Sequence, residues 1–233
     1  MMLKHLTYLM IGAGLTACSS HFILKGSKTT IASEIKAQTE ITSFIAPFKD
    51  SMEHAMNMVL AESSIDLETG RTSCLLGNWA SDALFVNQTR NVKMAEPIFC
   101  LLNTGGLRSS IGKGPVTLGD IFRLMPFDNM VTWIRLPISS KAKIAEYLLL
   151  SGGEPISHAE LSNGKLTIQG ETDTTSYFWV ITSDYLANGG DKMDFFKDAV
   201  RHESKPTLLR EVFIQEAQTQ KWLIVSPENR IKL

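Results

Sequence analysis

Several kinds of chemistry depend on residues this sequence scarcely has. Its 233 residues include three cysteines, too few for a scaffold stapled by disulfides. The five histidines, His5, His21, His54, His158 and His202, are scattered, and no two are spaced as ligands on one face of an element. An excess of one charge is also missing. The 23 Lys and Arg residues against 24 Asp and Glu leave a net charge of −1, which excludes the strongly basic surface of a general nucleic-acid binder. No apolar run reaches the roughly 20 residues needed to cross a bilayer as a helix. What remains is ordinary: 44% hydrophobic, 20% charged and 8% aromatic, the composition of a globular chain with one sizeable domain.

The N-terminus reads as a targeting segment. Lys4 and His5 give a short polar start, and the apolar run Leu6 to Ala17 suits the h-region of a secretory signal. It ends in Leu15-Thr16-Ala17-Cys18, which resembles a bacterial lipobox, with small residues before Cys18 and Ser19-Ser20 after it. The expected organisation is a signal peptide over 1–17, a lipidated Cys18 and lead-in over 18–40, and a folded domain over 41–233. Removal of 1–17 takes away only Lys4 among charged residues, leaving 22 basic against 24 acidic residues. The expected location is the cell envelope, on the outer membrane and facing the periplasm or the outside, with the lipid as the membrane contact. Export would permit Cys74 and Cys100 to pair, but Cys100 lies in an apolar strand and fits a buried free thiol.

Periodicity places the elements. A short strand is expected at Phe22-Ile23-Leu24. Phe44, Phe48, Met52, Ala55, Met56 and Val59 recur at helical spacing, with Thr42 or Ser43 as cap and Pro47 early, which predicts a helix whose stripe packs into the core. Leu76 to Ala83 predicts a second helix with Trp79, Ala80 and Ala83 inward and Asp82 bracing a neighbouring loop. Thr117 and Asp120 form a capping-box pattern on a short helix, and Pro126 ends it, presenting Phe127 on a loop. Met130 to Leu136 alternates like a half-buried strand, and Ser140 to Leu150 reads as a helix closed by Gly152-Gly153. Strands follow at Lys165–Gln169 and Tyr177–Thr182, then a helix over Pro206–Gln218 and a strand near Trp222–Val225.

Two strand-end loops carry paired glycines. After the apolar run Pro97 to Leu102 comes Asn103-Thr104-Gly105-Gly106-Leu107-Arg108, where glycines let backbone N–H groups approach a ligand beside an amide and a guanidinium. After Tyr177–Thr182 comes Ser183-Asp184-Tyr185-Leu186-Ala187-Asn188-Gly189-Gly190-Asp191, with an aromatic ring and a carboxylate. Phe127 and Tyr185 could stack on a planar ligand, and Asp191 could accept from hydroxyls. Arg71 reads as a surface charge or an anion clamp.

The motifs LGNWASDAL, NTGGLR, VTLGDIF, PFDN and DYLANGGD, in this order, resemble the C-terminal domain of the 5′-nucleotidase family from about residue 41 to beyond 196. The resemblance implies an α+β fold, a four-layer α/β/β/α domain with mixed sheets that holds a nucleotide while another domain does the chemistry. It assigns Asn103 and Arg108, with Gly105 and Gly106 between them, to the phosphate and sugar, and Phe127 and Tyr185 to the base as a clamp. Asn129 takes the base edge and Asp191 the ribose. Arg71 stands within a residue of a phosphate-binding arginine of the family, and Lys192 replaces a glycine common after GGD. Full family enzymes also carry a metallophosphoesterase domain with D-x-H and G-N-H-E motifs, and no histidine here lies in either. The implied roles are nucleotide recognition with no catalytic residue or cofactor in this chain, and divalent metals only in a separately encoded metallophosphoesterase partner. The alternative is a stand-alone lipoprotein that binds nucleosides or nucleotides at the envelope.

Overall fold

The computed structural model describes residues 38–93 and 95–233. The signal, Cys18 and the strand expected at Phe22-Ile23-Leu24 lie outside the described residues. The chain divides into two compact units, Met1–Ala46 and Pro47–Leu233, and all the sheet structure among the described residues belongs to the second.

Helix α1 (Thr39–Met56) runs across that division, and none of its residues is buried. Phe44, Phe48 and Met52 are exposed, so the stripe as far as Met56 forms the expected helix but not the expected core, and Val59 begins a strand instead. Periodicity defines a face; whether another element covers it is a tertiary matter. Pro47 lies inside the helix and not near its start, because the helix begins at Thr39.

In the second unit a mixed five-stranded sheet has the order β5-β2-β8-β4-β9. Its strands are β2 (Ile98–Leu101), β4 (Met130–Pro137), β5 (Ile156–Ser157), β8 (Tyr177–Ser183) and β9 (Arg201–Leu208). β2 runs parallel to β8, while β4 is antiparallel to both β8 and β9. One face is covered by α2 (Leu75–Thr89) and α6 (Leu209–Gln220), with Trp79, Leu84, Val212 and Phe213 packed on Cys100, Trp133 and Ile181. The pair β1 (Val59–Ser63) and β3 (Gly114–Thr117) and the short helix α3 (Leu118–Leu124) complete that side. The other face meets a three-stranded sheet of β6 (Ala159–Ser162), β7 (Lys165–Ile168) and β10 (Ile231–Lys232), with α4 (Ser140–Ser151) packed against β7. Phe99, Ile134 and Phe178 pack there against Leu148, Leu161 and Leu166. The layering accounts for β4, whose residues Val131 to Ile134 are all buried. It is a central strand covered on both faces, so the half-buried reading fails.

The C-terminal boundaries also move. Pro206 lies in β9, not in a helix, and α6 begins at Leu209. β9 is an edge strand, where a proline with no N–H and a run of charges are tolerated and discourage further pairing. Trp222 makes only an isolated bridge to Glu62, and the terminal strand is Ile231–Lys232. The capping box at Thr117 and Asp120 forms as its residues predict, and α4 closes at Gly152. Cys74 and Cys100 are free thiols. Cys74 Sγ caps α2 by accepting from the Gly77 N–H at 3.2 Å, and burial pushes the Cys100 thiol well above its ordinary pKa.

Asp82 braces as expected. Both its carboxylate oxygens accept from Arg230 at 2.8 Å, and the Ser157 hydroxyl donates to it as well. This ties α2 to β5 and to the segment entering β10.

Candidate functional site

Topology brings the site together. β2 and β8 are parallel neighbours, so both leave the sheet at one rim; β4, antiparallel to β8, enters there. The loops after β2, before β4 and after β8 therefore meet, although they are far apart in sequence.

In the first loop a single 3₁₀ turn, Thr104–Gly106, follows Asn103. Gly106 leaves room for the Asn103 side chain, because a Cβ there would stand 2.6 Å from Asn103 Oδ1 and displace the amide. The turn is fixed from below by Glu154, whose side chain is 3% exposed. Its Oε2 accepts from the Thr104 N–H at 2.6 Å, and its Oε1 accepts from Arg71 at 2.9 Å. The Arg108 N–H bonds the Leu124 carbonyl at 2.8 Å, while its exposed guanidinium rests on the Gly105 carbonyl at 3.3 Å.

The second loop is held by Arg210 of α6. Its guanidinium donates to the carbonyls of Met125 (3.2 Å) and Phe127 (3.3 Å), pairs with Asp128, and lies 4.4 Å from the centre of the Phe122 ring. With its backbone held this way, Phe127 stays 41% exposed. Asn129 is half-buried, and its carbonyl accepts from the Leu209 N–H at 2.8 Å.

The third loop begins with the short helix α5 (Asp184–Ala187), capped by Ser183. Asp184 Oδ1 accepts from the Met130 N–H at 3.1 Å, which joins this loop to the second. Gly190 packs so closely under Tyr185 that a Cβ there would lie 2.5 Å from the ring. Asp191 follows with φ 51°, in the left-handed region, a conformation that persists where its surroundings over-determine it. The Tyr185 hydroxyl donates to Asp191 Oδ1 at 2.7 Å, and Asn103 Nδ2 donates to Oδ2 at 2.6 Å. The Tyr147 hydroxyl donates to the Asp191 carbonyl at 3.2 Å. The hydrogen bond to the carboxylate raises the Tyr185 pKa, and burial, with the charges of Glu154 and Asp191, pushes that of Tyr147 up to about 12.

One cavity of about 370 Å³ results. Asn103, Gly105, Gly106 and Arg108 line it from the first loop, Phe127 and Asn129 from the second, and Tyr185 and Asp191 from the third. Arg71 is not among them. Its Nη1 is engaged by Glu154 and by the Ser151 carbonyl at 2.6 Å, and it lines an adjoining cavity of about 660 Å³ in which Asp191 and Lys192 also take part. Two exposed rings, two amides, a carboxylate and a guanidinium suit a planar heterocycle carrying hydroxyls and an anion. Sequence reasoning missed Glu154, Tyr147, Asp184 and Arg210, which position the loops. Of these only Asp184 stands in a motif, DYLANGGD, where nothing local marks it as a brace, and the separation of the others from the loops they hold, up to 85 residues, carries no local signal.

Residues 51–137 match the family model described as 5′-nucleotidase, C-terminal domain. The first two site loops fall inside that span and the third beyond it. The fold is that of the C-terminal domains of 5′-nucleotidases. The structure of a 5′-nucleotidase precursor from Thermus thermophilus superposes with a TM-score of 0.66 at 21% identity, covering 83% of this chain and 43% of that one. A Haemophilus influenzae NAD nucleotidase gives a TM-score of 0.61 at 14% identity, covering 84% of this chain and 41% of that one. In sequence, the chain is 23% identical over 181 residues to a 5′-nucleotidase of Vibrio parahaemolyticus, covering 72% of this chain and 31% of that protein. The chain thus spans less than half the length of each of these relatives.

Proposed function

We propose that this chain is a nucleotide-recognition domain of the 5′-nucleotidase family. The base lies between Phe127 and Tyr185 with its edge at Asn129, the ribose lies against Asp191, and the phosphate lies toward Asn103 and Arg108. The observation that carries this reading is the convergence of eight residues from three separated loops on one cavity. Arg71, engaged through Nη1 alone, would meet a phosphate that extends into the adjoining cavity. Phosphate-ester cleavage needs paired metals to polarise the phosphoryl group and supply hydroxide. That centre belongs, in this proposal, to a separately encoded metallophosphoesterase partner, and this chain's residues hold and orient the substrate. Lipidation at Cys18 would place the chain at the envelope, on the outer membrane.

Calorimetric titration of the full chain with adenosine, AMP and UDP-glucose tests the recognition role. Binding of at least one is expected. Phe127→Ala should weaken it by roughly 5- to 150-fold, the equivalent of about 1–3 kcal/mol of stacking. Absence of binding to all three refutes the proposal. Hydrolysis of AMP only when the partner and this chain are combined would support the division of labour, and full activity of the partner alone would end it.

A further inference from the structure

The carboxylate of Asp191 is already half used. It offers about four acceptor positions, two on each oxygen. Tyr185 Oη occupies one on Oδ1 at 2.7 Å, and Asn103 Nδ2 occupies one on Oδ2 at 2.6 Å. Each oxygen therefore keeps one free position. The carboxylate cannot turn to offer both positions of a single oxygen, because it is tethered at both ends. Its backbone is held as well: the Asp191 N–H donates to Tyr185 Oη at 3.3 Å, and Tyr147 holds the carbonyl.

We infer that the Tyr185 hydroxyl, acting with the Asn103 amide, sets Asp191 as a two-point acceptor for vicinal hydroxyls and so makes the site selective for ribonucleosides over 2′-deoxyribonucleosides. The inference rests on the nucleotide-recognition reading and adds to it a role for a hydroxyl that stacking does not use. Tyr185 is here a positioning residue as well as a stacking one. Its proton stays on the phenol, since the hydrogen bond to Asp191 raises its pKa, so the tether persists across the neutral range. Two vicinal O–H donors meeting one acceptor on each oxygen match this geometry. A 2′-deoxy sugar supplies one donor and leaves a tethered acceptor empty, a loss that cannot be relieved by rotation.

The test compares adenosine with 2′-deoxyadenosine, and uridine with 2′-deoxyuridine, on the full chain by calorimetry. The wild-type chain should prefer the ribonucleoside by about tenfold or more, the loss expected for one hydrogen bond to a charged acceptor. Tyr185→Phe keeps the ring and removes only the hydroxyl. It should bring the ratio toward that of Asp191→Ala, which sets the floor. A purely structural role for the hydroxyl would lower both affinities together and leave the ratio unchanged. If the wild-type chain binds ribonucleosides and Tyr185→Phe keeps the full preference, the inference is overturned while the recognition reading stands. If no nucleoside or nucleotide binds the wild-type chain, both fall.

Discussion

Replacing Glu154 by alanine tests whether the NTGGLR turn is held from beneath. The Glu154 side chain is 3% exposed and carries two bonds, from the Thr104 N–H at 2.6 Å and from Arg71 at 2.9 Å. A backbone N–H donating to a charged carboxylate contributes about 1.5–3 kcal/mol. The Arg71 pair adds no more than about 1 kcal/mol, because the arginine side chain is 57% exposed and screened. Removing a buried charge offsets part of this sum, which leaves a net loss of roughly 2–3 kcal/mol. For a chain of this size that corresponds to about 5–10 °C in melting temperature. Glu154→Gln keeps an oxygen for Thr104 but turns an amide N–H toward Arg71, so it should lose about half as much, roughly 1–1.5 kcal/mol. Thermal melts and urea midpoints give the stabilities, and calorimetry gives the nucleotide affinity, which should fall in both variants as the turn loosens. A Glu154→Ala chain that melts within about 1 °C of wild type and binds nucleotide equally well would refute the reasoning.

Two further outcomes follow from the same contacts. Arg210→Ala frees the backbone of the PFDN loop and should weaken nucleotide binding by about tenfold, with Arg210→Lys a poor rescue because a point charge cannot span two carbonyls and a carboxylate. Wild-type affinity in Arg210→Ala would separate the loop's order from its brace. His158 is half-buried and stacked on Phe85 at 3.4 Å, and burial lowers its pKa, against the opposing charge of Asp82. The unfolded chain therefore takes up a proton near the ordinary histidine pKa of about 6.5 before the folded chain does. The sign is a loss of stability as pH falls through the ordinary histidine value of about 6.5, complete below the lowered folded pKa. His158→Asn, a residue that tolerates the left-handed backbone at φ 62°, should flatten the change in urea midpoint over that interval. An equal slope in both chains would assign the effect to other groups.

How much was legible in advance differs between the rim and the body of the fold. The loops could be read because their chemistry is local. A glycine pair at a strand end, a proline that stops a helix and a capping box each act within a few residues, and the motif order carried the resemblance. The braces could not be read. Arg210 and Glu154 look like any surface charges until topology sets them beneath loops far away in the chain. Helix α1 shows the opposite error, a clear period whose face is not buried. Pro206, expected at the start of a helix, lies instead in an edge strand, where its missing N–H costs no ladder bond.

By itself, then, the sequence determined which residues stand on turns, where most helices and strands lie, and which side chains could contact a planar, hydroxylated anion. Only the tertiary structure decided that these residues share one cavity, since that depends on β2 and β8 running parallel and on β4 entering beside β8 at the same rim. It also decided that Arg71 pairs with Glu154 beside an adjoining cavity and that Asp191 is tethered from both ends. Both depend on distances across the fold, and local propensity says nothing of contacts between residues that meet only after the sheet has formed.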